Sequence, residues 1–167
     1  MKSLTGRCVA KLSDDVNTDL IYPGQYLKVT DPREMAQHAL EGIQKDFWKD
    51  FTPGGILVAG RNFGCGSSRT QSVASLKAVG IQAVIASSFA RSFYRNGINQ
   101  GLPVIVCVDC CGINVGEDVV IDFDDHSVRT GTVRLPIEPY PPFLLEIIER
   151  GGLTNLGKEI VSGRYQL

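Results

Sequence analysis

The order of apolar and polar positions divides the chain into strands and helices that follow one another regularly. Residues 2–12 carry apolar side chains at Leu4, Cys8, Val9, Ala10 and Leu12 and predict a first strand. Residues 13–19 are polar and acidic, a loop, and Pro23-Gly24 marks a turn. Asp31 is a good N-cap, Pro32 suits the first helical position, and Glu34 stands at capping-box spacing. Met35, Ala36, Ala39, Leu40 and Ile43 then recur at helical intervals, so a helix is expected to run to near Gly42. Pro53-Gly54-Gly55 breaks the chain ahead of a short buried strand, residues 56–59.

A glycine-rich loop, residues 60–68, follows that strand. Next comes a helix with Val73, Leu76 and Val79 on one face and Gly80 at its C-terminal stop. A second buried strand (83–86), a second helix (89–99) and a third strand (103–108) complete the rhythm. Strand and helix in alternation predict an α/β domain with parallel pairing. Beyond Gly112 the pattern changes. Residues 119–123 and 127–135 read as strands joined by an Asp124-Asp125-His126 turn. Residues 143–150 read as a helix with Leu144, Ile147 and Ile148 as its stripe, stopped by Gly151-Gly152.

Length and composition narrow the picture. A chain of 167 residues suits a single domain, 1–167, with a real core. The net charge of −1 argues against a general nucleic-acid binder but leaves room for a local anion site. No apolar run approaches a membrane span, and residues 1–10 lack the apolar stretch of a signal peptide, so a cytoplasmic location is expected. The five cysteines, Cys8, Cys65, Cys107, Cys110 and Cys111, are odd in number and read as free thiols.

The most informative stretch is Asn62-Phe63-Gly64-Cys65-Gly66-Ser67-Ser68-Arg69, set between a predicted strand and a predicted helix. Glycines let backbone N–H groups crowd together, and a helix N-terminus adds more free N–H groups and partial positive charge. Two hydroxyls and an arginine fork complete a donor set suited to a carboxylate or phosphate. A tight strand-to-helix turn with a capping serine would use the same residues. Nucleotide fingerprints fit badly: the loop has no Gly-Lys-Ser/Thr ending and lacks the third glycine of a dinucleotide site.

This loop resembles the signature loop of the isopropylmalate isomerase small subunits of the aconitase superfamily. Three further stretches match in order: Asp15-Val16-Asn17-Thr18-Asp19-Leu20-Ile21 with Pro23 and Tyr26-Leu27; Ser88-Phe89-Ala90-Arg91-Ser92-Phe93-Tyr94-Arg95-Asn96; and Gly101-Leu102-Pro103. The late Pro142–Ile148 segment with Gly151-Gly152-Leu153 also fits, so the resemblance covers nearly the whole chain. It implies a compact mixed β-sheet domain with flanking helices, of the aconitase swivelling-domain type. It implies that Ser67 is the catalytic base and that Arg69 holds it and the substrate carboxylate, with Ser68 able to share or replace the base. Gly66 and Cys65 line the site, Asp19 and Thr18 shape its wall, and Lys28 lies on a loop over the variable group of the substrate. The implied reaction isomerises 2-isopropylmalate and 3-isopropylmalate by loss and return of water, in leucine biosynthesis. The implied partner is a larger subunit, in a heterodimer or heterotetramer, that holds a [4Fe-4S] cluster. Homoaconitase, dehydratases of alkylated malates or citraconate, and a non-enzymatic anion-binding module remain as alternatives. Two stretches depart from the family: Thr70-Gln71 replaces the usual Glu-His, with Thr70 for glutamate putting a local hydrogen bond in doubt, and Ser87 replaces a lysine.

Other constellations carry less. Cys107-Val108-Asp109-Cys110 has CxxC spacing with Cys111 beside it, but thiols at a strand end explain it as well, and the family places its cluster ligands in the large subunit. Asp15, Asn17 and Asp19 mimic the start of a calcium loop, yet Leu20 replaces its glycine and Tyr26 its glutamate. No metal site is expected in this chain. His38 and His126 read as solvated, and Phe47, Trp48 and Phe51 as core or subunit interface.

Overall fold

A computed structural model describes residues 1–50 and 53–164; Phe51, one of the three clustered aromatics, lies outside the described residues. Strand β1 (Ser3–Lys11) enters first. A one-turn helix, α1 (Thr18–Ile21), follows, and then α2 (Pro32–Gln37). β2 (Gly55–Ala59), α3 (Thr70–Val79), β3 (Ile81–Ala86), α4 (Arg91–Asn99) and β4 (Val104–Val106) form the alternating centre. β5 (Asp118–Asp122), β6 (Ser127–Arg129) and β7 (Arg134–Pro136) precede two C-terminal helices, α5 (Pro142–Glu149) and α6 (Leu153–Val161).

The seven strands form one mixed sheet in the order β4-β3-β2-β1-β5-β6-β7. β1 to β4 pair in parallel, and β5 to β7 add an antiparallel half. Sequence pattern explains the division. The parallel strands β2 and β3 are covered by crossover helices; all five residues of β2 are buried, and β3 is apolar and buried but for the partly exposed Gln82. β5 alternates buried and partly exposed positions, as a strand with one wet face does. α3 packs against α1, α2 and α4, and α4 in turn against α5 and α6. This is the α/β, mixed-sheet fold the sequence predicts.

Four local expectations change. α2 ends at Gln37 rather than near Gly42, because Leu40 takes a left-handed conformation (φ 58°) and gives its N–H to the Ile21 carbonyl at 2.7 Å. The docking of that turn on α1 overrides the helical period. His38, expected in solvent, is therefore the C-cap of α2; its ring stacks on Tyr26 and lies 2.6 Å from the Glu41 carboxylate. The strand expected over 127–135 is a hairpin instead. Thr130 accepts from the N–H groups of Thr132 and Val133 through its hydroxyl and turns the chain back. Gly151-Gly152 stops α5 as expected but also opens α6, which buries Leu156 and was not foreseen.

Among the described residues two hydroxyls are buried without a hydrogen-bond partner, Thr18 Oγ1 and Ser72 Oγ. Ser72 lies in the first turn of α3 with no exposure. A buried hydroxyl left unpaired costs about 1–3 kcal/mol, so Ser72→Ala should stabilise the chain by about 1 kcal/mol in denaturant unfolding. A loss of stability would show that the hydroxyl is bonded.

Candidate active site

The glycine loop joins β2 to α3, at the C-terminal ends of the parallel strands. Its first half is held from two sides. The Gly64 N–H bonds the Val16 carbonyl at 2.8 Å, and the Thr18 N–H bonds the Cys65 carbonyl at 2.9 Å. On the other side the Phe63 N–H bonds the Ser88 carbonyl at 3.0 Å, and the Ala90 N–H returns to the Phe63 carbonyl at 2.9 Å. Asn62 sits at φ 56°, a conformation asparagine tolerates better than most residues. Its N–H bonds the Ser88 hydroxyl at 2.8 Å and its amide the Asp15 carboxylate at 2.8 Å. Arg61 clamps Asp14 with both side chain and backbone N–H, which holds the Asp14 carboxyl below its usual range. Sequence reasoning did not assign Asp14, Asp15, Asn62 or Ser88 a bracing role. The left-handed preference of Asn62 was the one signal available.

Underneath lies an aromatic floor. Phe63 packs edge-on to Phe93 at a 5.0 Å centroid distance and to Phe89 at 6.1 Å. Gly64, at φ 77°, passes directly over Phe93: a Cβ there would stand 2.2 Å from the ring. The loop thus rests its closest backbone approach on a buried ring.

The second half of the loop is free. Gly66, Ser67 and Ser68 are exposed, and none of their N–H groups has an acceptor among the described residues. Neither serine hydroxyl has a partner there either. The Ser67 carbonyl accepts from the Arg69 N–H at 2.8 Å, and Arg69 leads into α3 without a side-chain cap. Three unpaired N–H groups, two free hydroxyls and an uncapped helix N-terminus converge on one exposed turn. That is a donor set for negative charge.

Arg69 reaches away from the helix to Asp19, with which it forms an ion pair. Asp19 is 61% exposed and Arg69 21%. Pairs this open contribute about 0–1 kcal/mol, so an incoming carboxylate can take the guanidinium from Asp19 at little cost. The turn that carries Lys28 starts beside this pair: a Cβ on Gly24 would stand 3.3 Å from the Arg69 guanidinium. Lys28 itself is exposed. Thr18, which the resemblance puts in the wall of the site, is buried at 2% exposure next to Gly66. Cys65 is half-buried, and its thiol points to the Asp15 carbonyl at 3.5 Å.

The departures settle locally. Thr70 makes a long 3.4 Å contact with the Gln71 amide, while its carbonyl accepts from Gln100 at 2.9 Å. Ser87 gives its hydroxyl to the Val108 carbonyl at 2.9 Å. The calcium-like residues are occupied otherwise: Asn17 caps α1 by accepting from the Asp19 and Leu20 N–H groups, Asp15 holds Asn62, and Asp19 holds Arg69. Among the described residues no three histidine, cysteine or acidic side chains are grouped to hold a metal. Cys107 and Cys110 are buried and Cys111 is exposed. Burial pushes the Cys107 thiol up to about 12, and Cys110 gives its thiol to the Ala59 carbonyl at 3.1 Å. Burial thus keeps Cys107 and Cys110 as neutral thiols. No helix among the described residues is long and apolar enough to cross a membrane.

A mixed sheet with a serine-bearing glycine loop at the mouth of its parallel half defines a domain of the aconitase swivelling type. Residues 41–107 match the family model of the aconitase C-terminal domain. The same fold is present in a Thermococcus kodakaraensis aconitase X structure, at a TM-score of 0.52 and 21% identity over 77% of this chain and 89% of that one. Closer likenesses narrow the class. A 3-isopropylmalate dehydratase small subunit from Nautilia profundicola is 46% identical, covering 96% of this chain and 98% of the relative. A small subunit 1 from Archaeoglobus fulgidus is 43% identical over 90% and 94%. A crystal structure of 3-isopropylmalate dehydratase from Methanocaldococcus jannaschii superposes with a TM-score of 0.87 at 42% identity, covering 97% of this chain and 98% of that one. The chain belongs to the 3-isopropylmalate dehydratase small-subunit family, a family of hydro-lyase subunits.

Proposed function

We propose that this chain isomerises 2-isopropylmalate and 3-isopropylmalate by dehydration and rehydration in leucine biosynthesis, as the cytoplasmic small subunit of a 3-isopropylmalate dehydratase. The observation that carries the reading is the exposed 66–68 turn with its unpaired N–H groups and free hydroxyls, beside an arginine held by only a weak pair. A malate-type dicarboxylate needs such donors. Its carboxylate replaces that of Asp19 on Arg69. Ser67 takes the proton from carbon, and the surrounding N–H groups stabilise the alkoxide that makes a serine basic enough to do so. Water leaves, and its return to the neighbouring carbon completes the isomerisation.

The turn is an open surface, so the other wall of the site belongs to a second chain, the larger subunit, as a heterodimer or heterotetramer. That subunit holds the [4Fe-4S] cluster, whose Lewis acidity serves the leaving hydroxyl when it is bound. Lys28 stands where a variable substrate group would lie. Its ammonium favours a further carboxylate, as in homoaconitate. Its exposure lets it turn to water instead, and the half-buried Val29 beside it supplies apolar surface.

Reconstitution tests the reading. The chain is combined with an anaerobically prepared large subunit, and kcat/KM is compared for 2-isopropylmalate, homoaconitate and citraconate, with the chain alone as control. Isopropylmalate is expected to be the best substrate, and the chain alone to be inactive. Lys28→Val should leave the ranking unchanged. A selective loss of homoaconitate turnover by about 1.5–3 kcal/mol would show that Lys28 reads a carboxylate.

A further inference from the structure

The Thr18 hydroxyl is at odds with its surroundings. Thr18 is 2% exposed, and its Oγ1 has no hydrogen-bond partner. Its backbone is fully engaged, the N–H with the Cys65 carbonyl at 2.9 Å and the carbonyl with the Tyr22 N–H at 2.9 Å. The side chain lies under the catalytic turn: a Cβ on Gly66 would stand 3.6 Å from Thr18 Oγ1, and Gly66 sits at φ 90°. Directly above, the Gly66, Ser67 and Ser68 N–H groups are also without acceptors. An unpaired buried hydroxyl therefore lies next to Gly66, in a turn whose own N–H groups lack acceptors among the described residues. A valine would fill the same volume without the unpaired polar atom. Glycine at position 66 leaves the Gly66–Ser67 peptide free to rotate next to the hydroxyl.

We infer that Thr18 is a positioning residue for the catalytic turn: its hydroxyl is unpaired in the free chain and hydrogen-bonds the Gly66–Ser67 backbone when the turn adopts its working conformation. The bond orients the N–H groups and Ser67 toward the substrate, while Thr18 itself touches no reacting atom. The inference rests on the function proposed above for this turn. It also explains why Thr18 is buried although the resemblance puts it in the wall of the site.

The test uses Thr18→Val and Thr18→Ser in the full chain, measured free and in the reconstituted enzyme. In the free chain Thr18→Val should raise Tm by about 2–4 °C, since it removes an unpaired buried polar group. In the reconstituted enzyme the same variant should lower kcat about five- to tenfold, the scale of one neutral hydrogen bond, with KM within about twofold. Thr18→Ser, which keeps the hydroxyl, should restore kcat. A fall in Tm for Thr18→Val, including failure to fold, overturns the inference because it means the hydroxyl is bonded in the free chain. Unchanged kcat for Thr18→Val, or no recovery in Thr18→Ser, overturns it as well. The Tm measurement needs no substrate, so it separates this inference from the functional reading. An inactive wild-type pair would refute the latter alone.

Discussion

Ser67→Ala is expected to lower turnover of the reconstituted enzyme by about 10²–10⁴-fold while assembly with the large subunit persists. Ser67 is exposed on the turn, its hydroxyl is free, and it is flanked by the unpaired N–H groups of Gly66 and Ser68. Removing one oxygen from an exposed position costs the fold almost nothing, so lost activity would report chemistry rather than folding. Steady-state kinetics with a pull-down of the large subunit separates the two. Ser68 shares the same exposure. If Ser67→Ala keeps near-normal turnover and Ser68→Ala abolishes it, the base is Ser68. Arg69→Lys should act differently, mainly raising KM, because lysine has no planar fork with which to replace the Arg69 contact.

Gly64→Ala should be the most disruptive single-methyl change in the loop. Gly64 adopts φ 77°, and a Cβ there would stand 2.2 Å from Phe93, a ring only 1% exposed and packed against Phe63. Relief needs the ring or the loop to move; the Phe63–Ser88 and Gly64–Val16 hydrogen bonds hold the loop, and packing against Phe63 and Phe89 holds the ring. Left-handed strain and overpacking together predict a loss of about 3 kcal/mol, or about 6–12 °C in Tm. Gly66→Ala is the matched control. Its φ of 90° carries the same backbone strain, but its Cβ would meet only Thr18 and Asn17, at 3.6 and 3.7 Å. It should cost about 1–2 kcal/mol. Equal losses for the two variants would mean that the contact with Phe93 is unimportant.

The sequence by itself determined the elements whose cause is local. The apolar runs at 56–59 and 83–86 predict strands because four apolar residues in a row suit a strand covered on both faces, and all of them are buried. α3 and its Gly80 stop follow from a clear apolar face, and Asp31 does cap α2 through the Arg33 N–H. The donor groups of the glycine loop were legible for the same reason: its glycines, hydroxyls and arginine fall within eight residues of one another.

Only the tertiary structure decided the rest, wherever a contact far along the chain outweighs local preference. The Ile21 carbonyl takes the Leu40 N–H and ends α2 early. Asp19 meets Arg69 across fifty positions. Asp15 and Ser88 converge on Asn62 from opposite sides, separated from it by 47 and 26 positions. Thr18, which the resemblance puts in the wall of the site, is buried next to Gly66, because the loop and the 15–18 segment are joined by backbone hydrogen bonds that no period in the sequence encodes. Short-range physics wrote the strands and the donor groups of the glycine loop; the sheet order brought together the segments that hold the loop still.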